Sequence, residues 1–278
     1  MRPPEAVERV AGTLAGAGVP DARTDAEILV AEVHGVPRSA LYVPDGELSA
    51  GALARLDGLV ARRRRREPLQ YVLGEWGFRR LTLTVDRRAL IPRPETEVLV
   101  ERCLALVADV PEPRLLDVGV GSGAIALALA DERPDARIVA VDASSDALAL
   151  AHENAARTSL AARVTLVHGH LFAGLAGPFD LVASNPPYVS EAEFPALEPE
   201  VRDWEPREAL VGEGVTEAIA AGARNVLVPG GALVLETAGG KAGDVAALLE
   251  CLGYEEVRVT ADLAGLGRIA EGRVTKPG

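Results

Sequence analysis

Residues 115–123 read Leu-Leu-Asp-Val-Gly-Val-Gly-Ser-Gly, and this stretch decides the fold. The largely apolar run Leu115–Val118 predicts a buried strand, and the three glycines after it predict a tight loop. Glycines at such a loop let a ligand approach the backbone and expose amides where the next helix begins, over residues 124–130. The loop alone fits either a nicotinamide dinucleotide or S-adenosylmethionine.

Strands and helices alternate from this point towards the carboxyl end of the chain. This order predicts an α/β fold with a doubly wound, mostly parallel sheet. The further predicted strands lie at 137–141, 164–167, 180–183 and 232–236 and near Val257 and Arg268, with helices around 147–155 and 245–252.

The chain before the glycine loop has a different pattern. The first 75 residues show apolar residues at helical spacing, whereas Leu81–Val85 alternates apolar and polar residues and pairs with Trp76–Phe78 in a predicted hairpin. A helix follows from about Glu95 to Val107. We therefore predict a small all-α N-terminal domain at 1–75, a β-hairpin connector at 76–93 and the α/β domain at 94–278.

Composition narrows the classes of function. The 278 residues carry a net charge of -12 and only 4% aromatic side chains, which argues against a general nucleic-acid binder with a basic face or a stacking platform. Two cysteines make no disulfide framework, and no apolar run suits a signal peptide or a membrane helix. We expect a cytoplasmic protein without membrane contact.

Two charged or metal-like features invite a functional interpretation. Arg62–Arg66 is a run of five arginines, which could bind RNA or an acidic partner, but a solvated helix end is the favoured interpretation. His168 and His170 form a His-x-His pair, yet the chain has only four histidines and no clustered cysteines, so we expect no metal site.

Two further motifs follow predicted strands. Asp142 ends the strand after the glycine loop, where a carboxylate can accept hydrogen bonds from the ribose hydroxyls of a nucleoside, although it could also cap a helix. Asn185-Pro186-Pro187-Tyr188 follows the strand at 180–183. The Asn185 side-chain oxygen and the Pro186 carbonyl are two acceptors that suit a planar NH₂ group, and Tyr188 supplies a flat wall.

Three classes of function are compatible with parts of this pattern. A nicotinamide-dependent dehydrogenase explains the glycine loop and Asp142 but leaves Asn185–Tyr188 without a role. A methyltransferase acting on an exocyclic amine of adenine or guanine suits the two acceptors for a planar NH₂ group, but the acidic charge argues against it. A non-catalytic binding protein is disfavoured because all the expected site residues are present.

The motif together with its flanks resembles a known family. Asn-Pro-Pro-Tyr after the fourth strand of the domain is similar to class I S-adenosylmethionine methyltransferases with a Rossmann-like fold. Four flanking segments, 67–74, 90–97, 205–210 and 262–265, resemble the release-factor glutamine methyltransferases (PrmC/HemK family). The resemblance covers nearly the whole chain and implies an enzyme that methylates the glutamine amide in the Gly-Gly-Gln motif of class-1 peptide release factors.

The resemblance also implies roles for particular residues. It implies a monomer in which the N-terminal domain contacts the release factor. It also implies that the glutamine amide is held by Asn185, Pro186, Pro187 and Tyr188. Asn185, Pro186 and Tyr188 are the expected catalytic residues. The residues expected to bind S-adenosylmethionine, or its product S-adenosylhomocysteine, are Asp117, Gly119, Val120, Gly121, Ser122, Gly123, Asp142, His170, Leu171 and Asn185.

Overall fold

The structure is a computed structural model that describes residues 1–43, 46–262 and 264–275. Its helices are α1 Pro3–Ala15, α2 Ala22–His34, α3 Ala50–Arg63, α4 Leu69–Leu73, α5 Pro94–Leu106, α6 Ala124–Glu132, α7 Ser145–Arg157, α8 Pro199–Arg202, α9 Arg207–Leu210, α10 Val215–Ala223 and α11 Ala242–Cys251. Its strands are β1 Glu75–Phe78, β2 Leu81–Thr84, β3 Arg114–Val118, β4 Arg137–Asp142, β5 Val164–His168, β6 Phe179–Ser184, β7 Leu227–Glu236, β8 Tyr254–Ala261 and β9 Gly267–Val274.

The chain divides into two compact units. The first comprises residues 1–74 together with residues 198–204, and the second comprises 75–197 and 205–278. In the first unit, α1, α2 and α3 bury one apolar face each, because residues such as Val7, Leu14, Leu29 and Leu56 recur at helical spacing and pack into one core.

The arginine run at the end of α3 departs from the predicted solvated helix end. Arg63 is only 5% exposed, and its guanidinium donates to Asp25 at 2.7 Å and to Glu200 at 2.8 Å. Arg66 donates to both carboxylate oxygens of Glu200, at 2.5 and 2.6 Å, and Arg62 pairs with Glu67. A guanidinium as buried as that of Arg63 is stabilised only when carboxylates pair with it. Arg63 and Arg66 therefore link segments of the first unit instead of facing water.

The second unit is built on a seven-stranded sheet. Its strand order is β5-β4-β3-β6-β7-β9-β8. Strands β3 to β7 are parallel, and β9 runs antiparallel to both of its neighbours, β7 and β8. Strands β4 and β6 lie on opposite sides of β3, so the direction in which strands are added reverses there and leaves a crevice at their carboxyl ends. The predicted α/β class with a doubly wound, mostly parallel sheet is confirmed.

The hairpin of β1 and β2 belongs to the second unit. Phe78 and Leu83 are buried in the same core as Leu99 on α5 and Leu115 on β3. The division of the chain at 1–75, 76–93 and 94–278 stays a prediction. Of the segment 262–265, Leu263 lies outside the described residues.

No helix within residues 1–43, 46–262 and 264–275 is both long enough and apolar enough to cross a membrane.

The buried ion pairs of the first unit lead to a stability prediction. Arg63→Met leaves the Asp25 carboxylate buried without its partner, and removing one member of a buried pair costs about 3–5 kcal/mol. We expect a drop of that order in the free energy of unfolding, measured by urea denaturation at pH 7. Arg9→Met, which breaks the exposed Arg9–Asp57 pair, is the matched control and should cost less than about 1 kcal/mol. Equal losses in the two variants would contradict the prediction.

Candidate functional site

A cavity lies at the carboxyl ends of β3, β4 and β6. It takes its walls from the glycine loop, from the turns after β4, β5 and β6, from the segment before α5, and from α9 and α10. The residues lining it are Arg88–Arg93, Thr96, Val118–Ser122, Ala124, Ile125, Val141–Ser144, Ala147, Gly169–Leu171, Ser184–Pro187, Pro206, Glu208, Ala209, Val215 and Ile219. Ten of the predicted site residues are among them: Gly119, Val120, Gly121, Ser122, Asp142, His170, Leu171, Asn185, Pro186 and Pro187.

The glycine loop needs its glycines for backbone reasons. Gly119, Gly121 and Gly123 have φ values of +83°, +53° and +89°, a region that other L-residues rarely adopt. A Cβ on Gly123 would also come within 3.0 Å of Leu127 Cδ1 on α6. The loop therefore enters α6 by a turn that lets strand and helix pack closely beside the cavity.

Asp117 does not line the cavity, in contrast to the expectation that it contacts the cofactor. Side chains alternate along β3, and Asp117 shares the α6-facing side of the sheet with buried Leu115. It is fully buried, and its Oδ2 accepts a hydrogen bond of 3.1 Å from the Ala126 amide in the first turn of α6. Gly123 at the helix start has no side chain, so Asp117 satisfies one of the free amides there.

Burial controls the ionisation of Asp117. Desolvation raises the pKa of its carboxyl to about 8, against the lowering effect of the Ala126 hydrogen bond, and the Asp142 charge adds to the rise. Its second oxygen, Oδ1, is buried with no hydrogen-bond partner in the described structure. A proton on this carboxyl is therefore favoured at neutral pH.

The Asp142 carboxylate forms hydrogen bonds with both the glycine loop and the residue that caps α7. Its Oδ2 accepts from the Gly121 amide at 2.9 Å, and its Oδ1 accepts from the Ser144 amide at 2.9 Å. Ser144, not Asp142, caps α7, because the Ser144 hydroxyl accepts from the Ala147 amide. The carboxylate thus lies between the glycine loop and α7, at the edge of the cavity.

The wall after β5 contains both predicted residues. His170 and Leu171 line the cavity, and Leu171 has a positive φ of 51°. His168 lies with its ring Nε2 3.0 Å from the Ala143 carbonyl oxygen. In the part of the chain that the structure describes, no group of three or more His, Cys, Asp or Glu residues is arranged to hold a metal ion.

In the turn after β6, Asn185, Pro186 and Pro187 line the cavity. Among the residues that the structure describes as lining it, neither Tyr188 from this turn nor Gly123 from the glycine loop is found. The Ser184 hydroxyl at the start of this turn donates to the Val118 carbonyl at 2.6 Å, which connects the turn to the end of β3. Gly212 packs on the turn so closely that a Cβ there would meet Pro187 Cγ at 2.5 Å. Burial raises the pKa of the Tyr188 phenol, so it stays neutral.

Several residues that position the walls of the cavity had no predicted site role. Arg93 pairs with buried Glu205, and the Glu205 carboxylate also accepts from the Ile91 amide, which ties the segment before α5 to that before α9. Asn154, fully buried on α7, donates to the Ser122 and Thr84 carbonyls. Nothing in the local sequence of Asn154 signals this role.

Glu236 and Thr96 were also missed. Glu236 ends the apolar strand β7, at the same edge of the sheet as Asp142 and Asn185, and Thr96 donates to it at 2.6 Å. A signal was present, since a carboxylate that ends an apolar strand is the pattern that singled out Asp142. Burial raises the pKa of Glu236 to about 7, with the Thr96 hydrogen bond acting in the opposite direction.

The buried carboxyl of Asp117 gives a pH prediction. Its pKa is raised in the folded chain, so folding takes up a proton between about pH 4 and about pH 8, and the free energy of unfolding falls as pH rises through this range. Asp117→Asn keeps an acceptor for the Ala126 amide without a titrating charge. We expect its stability relative to the wild type to increase from pH 5 to pH 8 in urea denaturation. A difference between the two proteins that stays constant with pH would contradict this account.

Two family models match separate parts of the chain. A family model described as the PrmC N-terminal domain matches residues 5–74, and one described as the methyltransferase small domain matches residues 95–198. The crystal structure of a methyltransferase from Pyrococcus furiosus is 17% identical with a TM-score of 0.52, covering 82% of this chain and 100% of that one. At this identity the similarity shows a shared fold and nothing more specific.

The sequence relatives are more specific. A release factor glutamine methyltransferase of Geobacter sulfurreducens is 44% identical over 269 residues, which is 95% of this chain and 93% of the relative. A release factor glutamine methyltransferase of Deinococcus radiodurans is 41% identical, covering 94% of each chain. With this identity over nearly the full length of both proteins, the chain belongs to the release factor glutamine methyltransferase family.

Proposed function

We propose that this enzyme transfers a methyl group from S-adenosylmethionine to the side-chain amide nitrogen of the glutamine in the Gly-Gly-Gln motif of class-1 peptide release factors. One observation carries the proposal: Asn185 and Pro186 open into the same cavity as Asp142 and the glycine loop. A site for a nucleoside cofactor and a pair of acceptors for a planar amide therefore share one space. A nucleic-acid amine as the acceptor is not favoured, because the relatives are release factor methyltransferases.

The residues present suit S-adenosylmethionine, which supplies an electrophilic methyl group when bound. The Asp142 carboxylate accepts from the Gly121 and Ser144 amides, and in this proposal it also accepts from the ribose hydroxyls. Apolar side chains such as Ile125 and Leu171 line the same cavity and suit an adenine ring. We assign cofactor binding to the loop from Gly119 to Ser122, to Asp142 and to the wall of His170 and Leu171. Asp117 and Gly123 support the loop from outside the cavity.

The work of the protein is mainly positioning, because an amide nitrogen is a weak nucleophile whose lone pair is delocalised into its carbonyl. In the proposed complex, the Asn185 side-chain oxygen and the Pro186 carbonyl each accept one N–H of the glutamine amide. Fixing the reacting groups in line can lower a barrier by about 7–11 kcal/mol. The two acceptors also stabilise positive charge that develops on the nitrogen, and this effect grows when water is excluded.

The surroundings of the acceptors have supporting roles in this proposal. Pro187 packs against Gly212 and holds the turn rigid, and neutral Tyr188 shields it from water. We further propose that the helical N-terminal domain contacts the release factor and that the enzyme works as a monomer in the cytoplasm. No nucleic acid takes part in this scheme, which the net charge of -12 supports.

The direct test is methyl transfer from labelled S-adenosylmethionine to a purified class-1 release factor. We expect label on the wild-type factor and none on a factor with Gln→Ala in its Gly-Gly-Gln motif. Label on neither factor, with cofactor still bound by the enzyme, would refute the substrate assignment. Label on both would place the methyl group on another residue.

The separate roles of cofactor and amide binding can be tested by two variants. Asn185→Ala removes an acceptor for the amide, and we expect kcat to fall about 100-fold or more while the Kd for S-adenosylhomocysteine changes little. Asp142→Ala removes a charged acceptor for the ribose, and we expect that Kd to rise about 10- to 100-fold.

Calorimetric titration and initial-rate measurements on the same preparations provide both readouts. An equal loss of cofactor affinity and turnover in Asn185→Ala would contradict its assignment to the amide.

A further inference from the structure

Three polar side chains form a hydrogen-bonded chain behind the amide-binding turn. Glu236 ends β7 and is 1% exposed, and Thr96 lies in the first turn of α5 and is 4% exposed. The Thr96 hydroxyl donates to Glu236 Oε2 at 2.6 Å, and Asn185 Nδ2 donates to Thr96 Oγ1 at 3.3 Å. The chain thus runs from the sheet through α5 to Asn185, and both Thr96 and Asn185 line the cavity.

The direction of these hydrogen bonds follows from the chemistry of the groups. An ionised carboxylate can only accept, so Thr96 must use its single hydroxyl hydrogen on Glu236. The Thr96 oxygen then has only lone pairs left to offer to Asn185. Asn185 must therefore turn its NH₂ group, and not its oxygen, towards Thr96. This leaves the Asn185 Oδ1 as the free end of the side chain.

We propose that Glu236, acting through the Thr96 hydroxyl, is a positioning residue that fixes the Asn185 amide so that its Oδ1 is available to accept a substrate N–H. The inference rests on the proposed function for the role of Oδ1. An Asn185 side chain rotated by half a turn would present N–H groups to the N–H groups of the substrate amide. Both sets are donors, so the rotated form cannot hold that amide.

The charges around Glu236 determine how the chain responds to pH. Glu95 on α5 favours the protonated form of Glu236, whereas Arg268 on β9 and Arg93 before α5 favour the ionised form. Tyr188 faces Glu236 from the turn after β6 and stays neutral, since its pKa is raised. Arg268 also forms ion pairs with Asp262 and Glu95, so it interacts with these two carboxylates as well as with Glu236.

Burial dominates these effects and raises the pKa of Glu236 to about 7. A protonated Glu236 can donate to the Thr96 oxygen, which frees the Thr96 hydrogen to point at Asn185 and favours the rotated amide. The ionised form of Glu236 is therefore the competent one. Methyl transfer should be present above pH 7 and should be lost as pH falls through this value.

The test compares hydroxyl and pH effects in the full-length enzyme with a release factor as substrate. Thr96→Val removes the hydroxyl with little change in shape. We expect kcat to fall about 10- to 100-fold, the range found when the hydrogen-bonding partner of a metal-ligating residue is lost. Thr96→Ser restores the hydroxyl and should recover most of this loss. Thr158→Val is the matched control, because the Thr158 hydroxyl donates to the Asn154 carbonyl at the end of α7.

The pH profile separates positioning from packing. In the wild type, kcat should fall about tenfold per pH unit below the pKa of the ionising group. This limb should be absent in Thr96→Val and in Glu236→Gln, because the first breaks the chain and the second removes the titrating group. A limb that persists in both variants belongs to another group, such as Asp117, and would overturn the inference. If Thr96→Val does not fold, the Glu236→Gln profile decides the question.

A substrate-free readout keeps this inference distinct from the proposed function. The side-chain NH₂ resonances of Asn185, followed by ¹⁵N NMR from pH 5.5 to pH 8.5, should titrate in the wild type and not in Thr96→Val. Titration without any methylation of the release factor would refute the proposed function and retain the chain of hydrogen bonds. Methylation without the titration, and with Thr96→Ser no better than Thr96→Val, would refute the role of Glu236.

Discussion

Parallel pairing of β4, β3, β6 and β7 is the constraint on which the rest of the site depends. Parallel strands end at one edge of the sheet, so the loops that follow them meet there although they are far apart in sequence. The register places Val118 opposite Val141, which brings the glycine loop to Asp142. It also places Ser184 opposite Leu235, which brings Asn185 beside Glu236. In the proposed function, strand pairing therefore puts the Asp142 carboxylate on the cofactor side and the Glu236 carboxylate on the amide side.

Much of the fold and part of the site could be predicted from the sequence, because both depend on local patterns. Apolar runs, and the glycines that follow some of them, predicted the boundaries of β3, β4 and β6 to within about a residue or two. Asp117 shows where this reasoning stops. A carboxylate near the end of a parallel strand has the same sequence pattern whichever face of the sheet it occupies, since both faces are buried and no alternation marks them. Only the packing of α6 on that face shows that Asp117 supports the helix start.

Long-range contacts account for the other differences. Thr96 and Glu236 are 140 positions apart, and Arg63 and Glu200 are 137 apart, so no periodicity in either segment signals the pair. The run Arg62–Arg66 shows why the number of charged residues in a segment does not predict their burial. Charge runs are usually solvated, but Arg63 is buried because two carboxylates from distant segments enclose it. Pairing of this kind becomes visible only once the helices are packed.

The return of residues 198–204 to the first unit has a consequence for how this protein can change in evolution. The chain passes between the two units three times, after residues 74, 197 and 204, and not once through a single linker. Removing residues 1–74 would strand Glu200, whose two arginine partners lie on the removed segment. A cut-and-paste exchange of the N-terminal residues alone would carry the same penalty. The helical unit can be inherited or replaced as a module only together with the short excursion that completes it.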